Sequence, residues 1–255
     1  MIFSTLTFNM QNGQPWNESR PDADIVDLDR TAEFVRRQDA DIVFLQEVER
    51  GHDGGEQVEP PPHYSRLRGL LPGYDSVFAY PVRNETEIPF GLGLAIFSKT
   101  HLRDFERIDL PAADIAFEFG GKQRHPSHRL LISASTVIQG RTVRLLNTHL
   151  QAFFMIGASS EDHPAQRDMV AAELRRQDGA AILAGDLNSA PDEGIIEQFA
   201  SCGFRCVQNE VITWRRKPFV LDHVFYNAPL ELVGHKVIQT SSSDHHAVRA
   251  EFKFA

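Results

Sequence analysis

Residues 180–188 read AAILAGDLN, an apolar run that stops at a carboxylate and a carboxamide two positions apart. The run has the length and composition of a buried strand, and side chains two positions apart on a strand point to the same face. Asp186 and Asn188 are therefore predicted to project together from the end of this strand. The structural alternative is an Asx turn that caps a helix beginning near Ser189.

Other apolar runs of the chain also end on polar residues. These residues stand at Asn9, Gln46-Glu47, Asn147-Thr148-His149, Leu221-Asp222-His223 and Ser243-Asp244-His245. Six polar insertions at strand ends predict one active site that is assembled from distant parts of the chain.

Short apolar runs rich in β-branched and aromatic residues predict many short strands. They lie at residues 2–8, 42–45, 76–79, 92–97, 130–137, 143–146, 181–183, 221–225 and 248–254. Helical spacing of apolar residues predicts helices near 25–35, 165–174 and 195–199, and Gln139-Gly140 is a hairpin turn between two strands. Residues 51–63 and 153–164 are predicted loops. The pattern predicts an α/β fold with two packed sheets and helices outside.

The bulk composition limits the class of protein. A chain of 255 residues with 42% hydrophobic residues can form one domain over residues 1–255. Its net charge of −9 argues against a broad basic surface for nucleic acid. Two cysteines are too few for a disulfide framework, and no membrane-length apolar run is found. These features predict a soluble cytoplasmic protein, and none of them indicates an obligate protein partner.

The polar residues at the strand ends have the chemistry of a hydrolytic site. Asp186 and Asn188 can orient a water molecule and stabilise the group under attack. Glu47 follows a buried strand, where a carboxylate is costly unless it is paired or holds a cation, and hard oxygen ligands suit Mg²⁺ or Mn²⁺. A plain surface glutamate is the alternative at this position. His149 and His245 can donate protons, and a core histidine is the alternative for His149.

Taken in order, these motifs resemble the endonuclease/exonuclease/phosphatase superfamily, which includes pancreatic-type deoxyribonuclease, abasic-site endonucleases, inositol polyphosphate 5-phosphatases and neutral sphingomyelinases. The resemblance covers almost the whole chain. The matching stretches are TFN at Asn9, LQE at Glu47, GLAIFSK at Gly93 to Lys99, NTHL at His149, GDLN at Asp186 and Asn188, LDHVF at Asp222, and SDHHAV at Asp244 and His245. The chain departs from the abasic-site endonucleases, because it has no tyrosine between GLAIFSK and NTHL.

The resemblance implies a four-layer α/β sandwich, with two mostly antiparallel sheets packed face to face and helices outside. It also implies Mg²⁺-dependent cleavage of a phosphoester, with Mn²⁺ as a substitute. By position, Glu47 resembles the principal metal ligand, supported by Asn9 and Asp244. Asp186 resembles the residue that orients or deprotonates the attacking water, and Asn188 resembles one that stabilises the phosphate oxygens.

The remaining residues of the implied site lie around the scissile phosphate. Asp222 would orient His245, and both His245 and His149 would contact the phosphate, one of them assisting the leaving group. Arg129 and Asn147 resemble substrate-binding residues, although a solvated strand-edge charge is the alternative for Arg129.

The family includes several substrate classes. The expected activity is nuclease-like hydrolysis of a phosphodiester, and the alternatives are a sphingomyelinase-like phospholipase or a phosphatase of phosphoinositides or small molecules. Phe153 and Phe154 would make a transient membrane contact if they were exposed. A non-catalytic binding protein is disfavoured, since none of the core ligand set is missing.

Overall fold

The computed structural model describes residues 1–52, 54–88 and 90–255. The described strands are β1 (Phe3–Asn9), β2 (Ile42–Arg50), β3 (Asp75–Ala79), β4 (Gly91–Ser98), β5 (Arg103–Leu110), β6 (Phe117–Phe119), β7 (Lys122–Arg124), β8 (Arg129–Ile138), β9 (Arg141–His149), β10 (Ala180–Asp186), β11 (Phe204–Cys206), β12 (Asp222–Asn227), β13 (Leu230–Ile238) and β14 (Ala247–Phe254). The helices are α1 (Leu28–Gln38), α2 (Pro62–Leu70), α3 (Ala165–Arg175) and α4 (Ile195–Ser201), with short 3-10 helices at Gln11–Gly13 and Phe153–Ile156.

The strands form two six-stranded sheets and a small hairpin. The first sheet has the order β13-β14-β1-β2-β4-β3, the second has the order β11-β12-β10-β9-β8-β5, and β6 pairs with β7. Each large sheet is antiparallel except for one central parallel pair, β1 with β2 and β10 with β9. The predicted α/β architecture of two mostly antiparallel sheets is confirmed.

Alternate residues of the central strands are buried on opposite faces. Ile42 and Phe44 belong to the core between the two sheets, whereas Val43 and Leu45 belong to the core beneath α1 and α2. A third core lies between the second sheet and helices α3 and α4. Because both faces of each sheet are covered, the strands read as continuous apolar runs rather than as alternating ones. Four layers result, as the family resemblance implies.

Several predicted boundaries shift for physical reasons. The helix expected from Ile25 begins at Leu28, because the Asp27 side chain caps it by accepting the backbone N–H of Arg30 at 2.9 Å. The helix expected near residues 195–199 is α4, which begins at Ile195 without a side-chain cap. Glu193 is used instead to accept the backbone N–H of Ser160 at 2.7 Å, which ties two loops together.

Helix α2 and the edge strands β5 and β13 were not predicted from the sequence. The start of α2 is supported from a distance, because the buried Glu49 carboxylate accepts the backbone N–H of Tyr64 at 2.7 Å. Most residues of β5 are exposed, so this strand has no apolar run to reveal it. The hairpin turn at Gln139-Gly140 is as predicted, with both residues at positive φ and with Ile138 paired to Arg141.

No helix in the described ranges is long and apolar enough to span a membrane. Both cysteines are free thiols. The assignment of residues 1–255 to a single domain stays a prediction.

Asn147 joins the two sheets through its side chain. It is fully buried, and its Nδ2 donates to the carbonyl oxygens of Leu45 and Ala95, both at 2.9 Å. Its Oδ1 accepts a hydrogen bond from Gln46 Nε2 at 2.8 Å. All three partners belong to the first sheet, whereas Asn147 lies on β9 of the second. The amide therefore aligns the sheets across the core.

We expect Asn147→Ala to lower the free energy of unfolding by about 2–4 kcal/mol, because it leaves buried polar groups of the first sheet without partners. Urea unfolding measures the change. Thr142→Ala is the matched control, since Thr142 lies exposed on the same strand and should change stability by less than about 0.5 kcal/mol. Equal unfolding midpoints for the two variants would show that the amide does not hold the sheets together.

Candidate active site

The two central parallel strand pairs end at the same edge of the sandwich. The parallel pairing of β1 with β2 ends at Asn9 and Gln46, and the parallel pairing of β10 with β9 ends at Asp186 and His149. Asp222 begins β12 directly opposite Asp186. The topology therefore brings side chains from five strands to one place, at the carboxyl ends of the parallel strands.

Glu47 is held in an unusual backbone conformation. Its φ is +50°, and the pairing of β2 with β4 shifts register between Gln46 and Glu49, which marks a bulge. A Cβ atom at Gly91 would overlap the Glu47 side chain. The bulge and the missing side chain at Gly91 together turn the Glu47 carboxylate toward the site.

Asn9 connects the two sheets at the site. Its Nδ2 donates to Glu47 Oε1 and to Asp186 Oδ2, both at 2.9 Å, and its Oδ1 accepts the backbone N–H of Gln11 at 3.0 Å. The predicted metal-ligand role needs Asn9 Oδ1 to face the cation. That arrangement would require the amide to turn over and to give up its contact with Gln11.

Asp186 lies at the centre of the site and is 1% exposed. Its Oδ2 is 3.5 Å from His149 Nε2 and 3.7 Å from His245 Nε2. Its Oδ1 accepts the backbone N–H of Asn188 at 3.0 Å, so an Asx turn forms here, but it caps no helix, because α4 begins only at Ile195. Burial raises the pKa of Asp186 to about 7, although His245 and Asn9 act in the opposite direction.

His149 is buried beside a guanidinium group. Its Nδ1 is 3.4 Å from Arg129 Nη1, and because arginine can only donate, Nδ1 must accept. The proton of the neutral ring is therefore on Nε2, which faces Asp186. Burial holds the pKa of His149 well below its usual range, and the positive charges of Arg129 and His245 lower it further.

His245 has the opposite electrostatic setting. Its Nδ1 is 2.8 Å from Asp222 Oδ2, and the Asp222 side chain is fully buried. Burial alone would lower the pKa of His245, but the carboxylates of Asp222, Asp186 and Asp244 outweigh it and raise the pKa to about 10. His245 is therefore an imidazolium at neutral pH, and it directs its second N–H toward the centre of the site.

Asp244 is held by two neighbours that the sequence analysis did not identify. Its Oδ2 accepts from Arg216 Nε at 2.7 Å and from Trp214 Nε1 at 3.4 Å. Arg216 also donates to Asp22 Oδ1 at 2.7 Å, which fastens the loop after β1 to the site. The basic run Arg215-Arg216-Lys217 after a tryptophan was the available sequence signal for this group.

Three predicted residues are used differently from the rest. Asn188 lines the site cavity, with its Nδ2 donating to the carbonyl of Leu150 at 3.0 Å. Asn147 does not line this cavity, because its amide is used between the sheets, and we leave it out of the proposed binding set. Phe153 is 3% exposed and stacks on His163, so it does not meet the condition of exposure that a membrane contact requires. Phe154 beside it is half-buried.

The polar cluster fits a divalent cation. Carboxylate oxygens of Glu47 and Asp186 and a ring nitrogen of His149 lie within 4.8 Å of one another, and the two carboxylates are the groups of this trio that can ligate a cation. Burial raises the pKa of Glu47, whose hydrogen-bonding partner is the neutral Asn9 amide rather than a basic side chain. A buried carboxylate in this position is costly without a positive charge, and carboxylate oxygens are the ligands that Mg²⁺ and Mn²⁺ prefer. Asp244 lines the same cavity.

A cavity of about 530 Å³ opens above the cluster. This volume is in the range of about 300–1,000 Å³ that is common for small-molecule sites. Besides the residues already described, it is lined by the apolar residues Ile88, Phe90, Phe117, Phe119, Met155, Ile156 and Trp214.

Comparison with known proteins gives a consistent result. A model of the Endonuclease/Exonuclease/phosphatase family matches residues 6–245. No curated protein matches the chain. An endonuclease/exonuclease/phosphatase from Beutenbergia cavernae DSM 12333 is 23% identical with a TM-score of 0.71, covering 100% of this chain and 72% of that one.

Two further solved structures share the fold. D. rerio TDP2 complexed with a single-strand DNA product is 17% identical with a TM-score of 0.66, covering 99% of both chains. The human Nocturnin catalytic domain with bound sulfate is 17% identical with a TM-score of 0.65, covering 100% of this chain and 94% of that one. At these identities the structural likeness shows the fold alone.

The two site histidines should differ in charge at neutral pH. In protein freed of divalent cations, ¹⁵N chemical shifts of the imidazole nitrogens should show His245 cationic from pH 6 to 8 and His149 neutral, because carboxylates outweigh burial at His245, whereas burial and then Arg129 lower the pKa of His149. His149→Gln and His245→Gln assign the signals. A neutral His245 or a cationic His149 at pH 7 would refute this charge distribution.

Proposed function

The chain belongs to the endonuclease/exonuclease/phosphatase family, and from this membership and the site geometry we propose that it hydrolyses a phosphodiester with a divalent cation held at Glu47. Members of this family are enzymes that hydrolyse phosphoesters, and the chain is such an enzyme. The observation that supports the proposal most directly is the position of Asp186 Oδ2. This oxygen lies within 3.7 Å of Nε2 of both His149 and His245, and it is 2.9 Å from the Asn9 amide nitrogen, which also contacts Glu47.

The residues of the cluster fit a resident Mg²⁺ or Mn²⁺ ion. Glu47 is its proposed principal ligand, with Asp244 and, after rotation of its amide, Asn9 as supporting ligands. When bound, the cation supplies positive charge that offsets the negative charge developing on the phosphoryl oxygens. The identity of the ion as Mg²⁺ is part of the proposal.

The proposed reaction is in-line attack of water on phosphorus. Asp186 orients the water and takes one of its protons, for which the carboxyl group must be ionised. As the bond from phosphorus to the leaving oxygen breaks, His245 donates its proton to that oxygen, because it is the imidazole that is protonated at neutral pH. Asp222 holds the ring of His245 in place through Nδ1.

Three further groups, two neutral and one with a fixed positive charge, assist without exchanging protons. His149 donates a hydrogen bond from Nε2, and Arg129, whose Nε atom is buried without a partner in the described part of the chain, supplies a fixed positive charge. The Asn188 amide offers a second N–H that the Leu150 carbonyl does not use. These donors stabilise the phosphate oxygens as charge builds on them.

A nuclease-like substrate is better supported than a phospholipid. The membrane contact expected through Phe153 is removed by the burial of this side chain. TDP2, which shares the fold, binds a single-strand DNA product. A cytoplasmic location stays a prediction.

We expect Asp186→Asn to lower the rate of Mg²⁺-dependent hydrolysis of bis(p-nitrophenyl) phosphate by about 10²–10⁴-fold, because the amide cannot accept the water proton. EDTA should abolish activity and added Mg²⁺ should restore it. Asp192→Asn, at an exposed position near the same strand end, should keep the wild-type rate. Wild-type activity in Asp186→Asn, or full activity in EDTA, would contradict the proposal.

A further inference from the structure

Part of the lining of the site cavity takes no part in the proton transfers of the hydrolytic reaction. From its composition we propose that Phe154, Trp214, Asn12 and Gln151 form a subsite for a nucleobase attached to the scissile phosphate. This inference rests on the proposed phosphodiesterase function and names the substrate class: a short single-stranded nucleic acid or nucleotide ester.

The first support is a continuous group of aromatic rings that begins at the catalytic residues. The Trp214 ring lies 6.2 Å from the His245 ring and 5.7 Å from the Phe154 ring, and Phe154 lies 5.3 Å from Phe219. Phe154 is half-buried and lines the cavity with Trp214. A flat ring carried by the substrate would find an aromatic surface directly beside the scissile bond.

Positive charge lies at the outer end of this aromatic group. Lys217 Nζ is 5.5 Å from the centre of the Phe154 ring and 5.7 Å from that of Phe219. Among the residues that the structure describes, no carboxylate is within 4.0 Å of this ammonium group. It is therefore available to a second phosphate of a short strand, beyond the stacked base.

The second, independent support is a pair of hydrogen-bond acceptors without partners. Asn12 Oδ1 and Gln151 Oε1 are buried, and neither accepts a hydrogen bond from the described residues. Both residues line the cavity and are more than nine-tenths buried, with 2% and 8% exposed. Leaving such a group unsatisfied costs about 1–3 kcal/mol, and a ligand that brings N–H donors removes this cost.

The backbone also favours a binding role for Asn12. Its φ is +46°, a left-handed conformation that is uncommon for residues other than glycine and that concentrates at binding and active sites. Gln11 beside it has the same φ, and its Oε1 accepts the backbone N–H of Asp244 at 3.2 Å. In this turn the Gln11 side chain thus contacts the backbone of Asp244, a proposed metal ligand, and the next residue, Asn12, lines the cavity.

These features favour a nucleobase over an acyl chain. Five of the eight large apolar side chains that line the cavity are aromatic, and an acyl chain would leave the two amide oxygens without donors. A base offers flat faces together with N–H groups at its edge. Asp22 and Glu118 also line the cavity, and the net charge is −9, so the site suits a short single strand rather than a wrapped duplex.

The test is a calorimetric comparison of two ligands on the inactive Asp186→Asn protein. One ligand is a deoxythymidine trinucleotide, and the other is the same trimer with tetrahydrofuran residues in place of the nucleosides, which keeps every phosphate and removes every base. We expect the base-bearing trimer to bind about 5- to 100-fold more tightly, as stacking of one base predicts.

Variants of Phe154 separate stacking from simple apolar contact. In the same background, Phe154→Leu should remove most of the preference for bases and Phe154→Tyr should retain it, because only tyrosine keeps a flat ring. Gln151→Leu should weaken binding of the base-bearing trimer without changing that of the abasic one. Phe105→Leu is the control, since Phe105 is exposed on the edge strand β5 and lines no part of the cavity.

The outcomes distinguish this inference from the proposed function. Equal binding of the two trimers, or an unchanged base preference in Phe154→Leu, overturns the subsite even if generic phosphodiesters are hydrolysed. If the wild-type protein prefers a phospholipid as substrate and shows no preference for bases, these residues bind acyl chains. That result also overturns the nucleobase subsite. Failure to hydrolyse any phosphodiester overturns the proposed function, whereas the binding comparison on Asp186→Asn still decides the subsite.

Discussion

The Asn9 amide group holds two carboxylates from different sheets within reach of one another. Glu47 comes from the first sheet and Asp186 from the second, and their side chains are only 17% and 1% exposed, so their charges repel in a medium that screens poorly. The neutral Asn9 amide offsets only part of the free energy that this repulsion costs. Packing of the two sheets forces the carboxylates together, and the same packing creates a demand for positive charge that a divalent cation meets.

The two histidines on either side of Asp186 gain different properties from the same depth of burial. His245 is surrounded by three carboxylates and keeps its proton, whereas His149 faces Arg129 and loses it. One site thereby contains a cationic proton donor and a neutral hydrogen-bond donor at neutral pH. This difference arises from the partners that each strand end supplies, since the rings themselves are chemically identical.

The sequence was sufficient where the signal is local. Apolar runs that end on polar residues predicted the central strands and placed Asp186, His149 and Asp222 at one edge, because strand direction fixes where such residues meet. The sequence was insufficient for elements whose formation depends on contacts with residues distant in the chain. Helix α2 depends on the distant Glu49 carboxylate, and the exposed edge strand β5 has no apolar pattern.

Side chains near the site were the hardest to assign from sequence. Asn147 follows the same polar pattern as its neighbours, yet its amide joins the sheets, because the side chain points into the core rather than toward the cavity. Phe153 and Phe154 are adjacent and identical in type, but one is buried and one lines the cavity. The unpartnered oxygens of Asn12 and Gln151 can be seen only after every neighbour has been placed.

The most direct test of the account is the location of the bound cation. Crystals soaked in MnCl₂ should give an anomalous difference peak beside the Glu47 carboxylate, within coordination distance of its oxygens, and Glu47→Gln crystals should lose that peak. A peak at an unrelated acidic surface such as that around Asp114, Asp162 and Asp168, with none beside Glu47 at saturating Mn²⁺, would contradict the account.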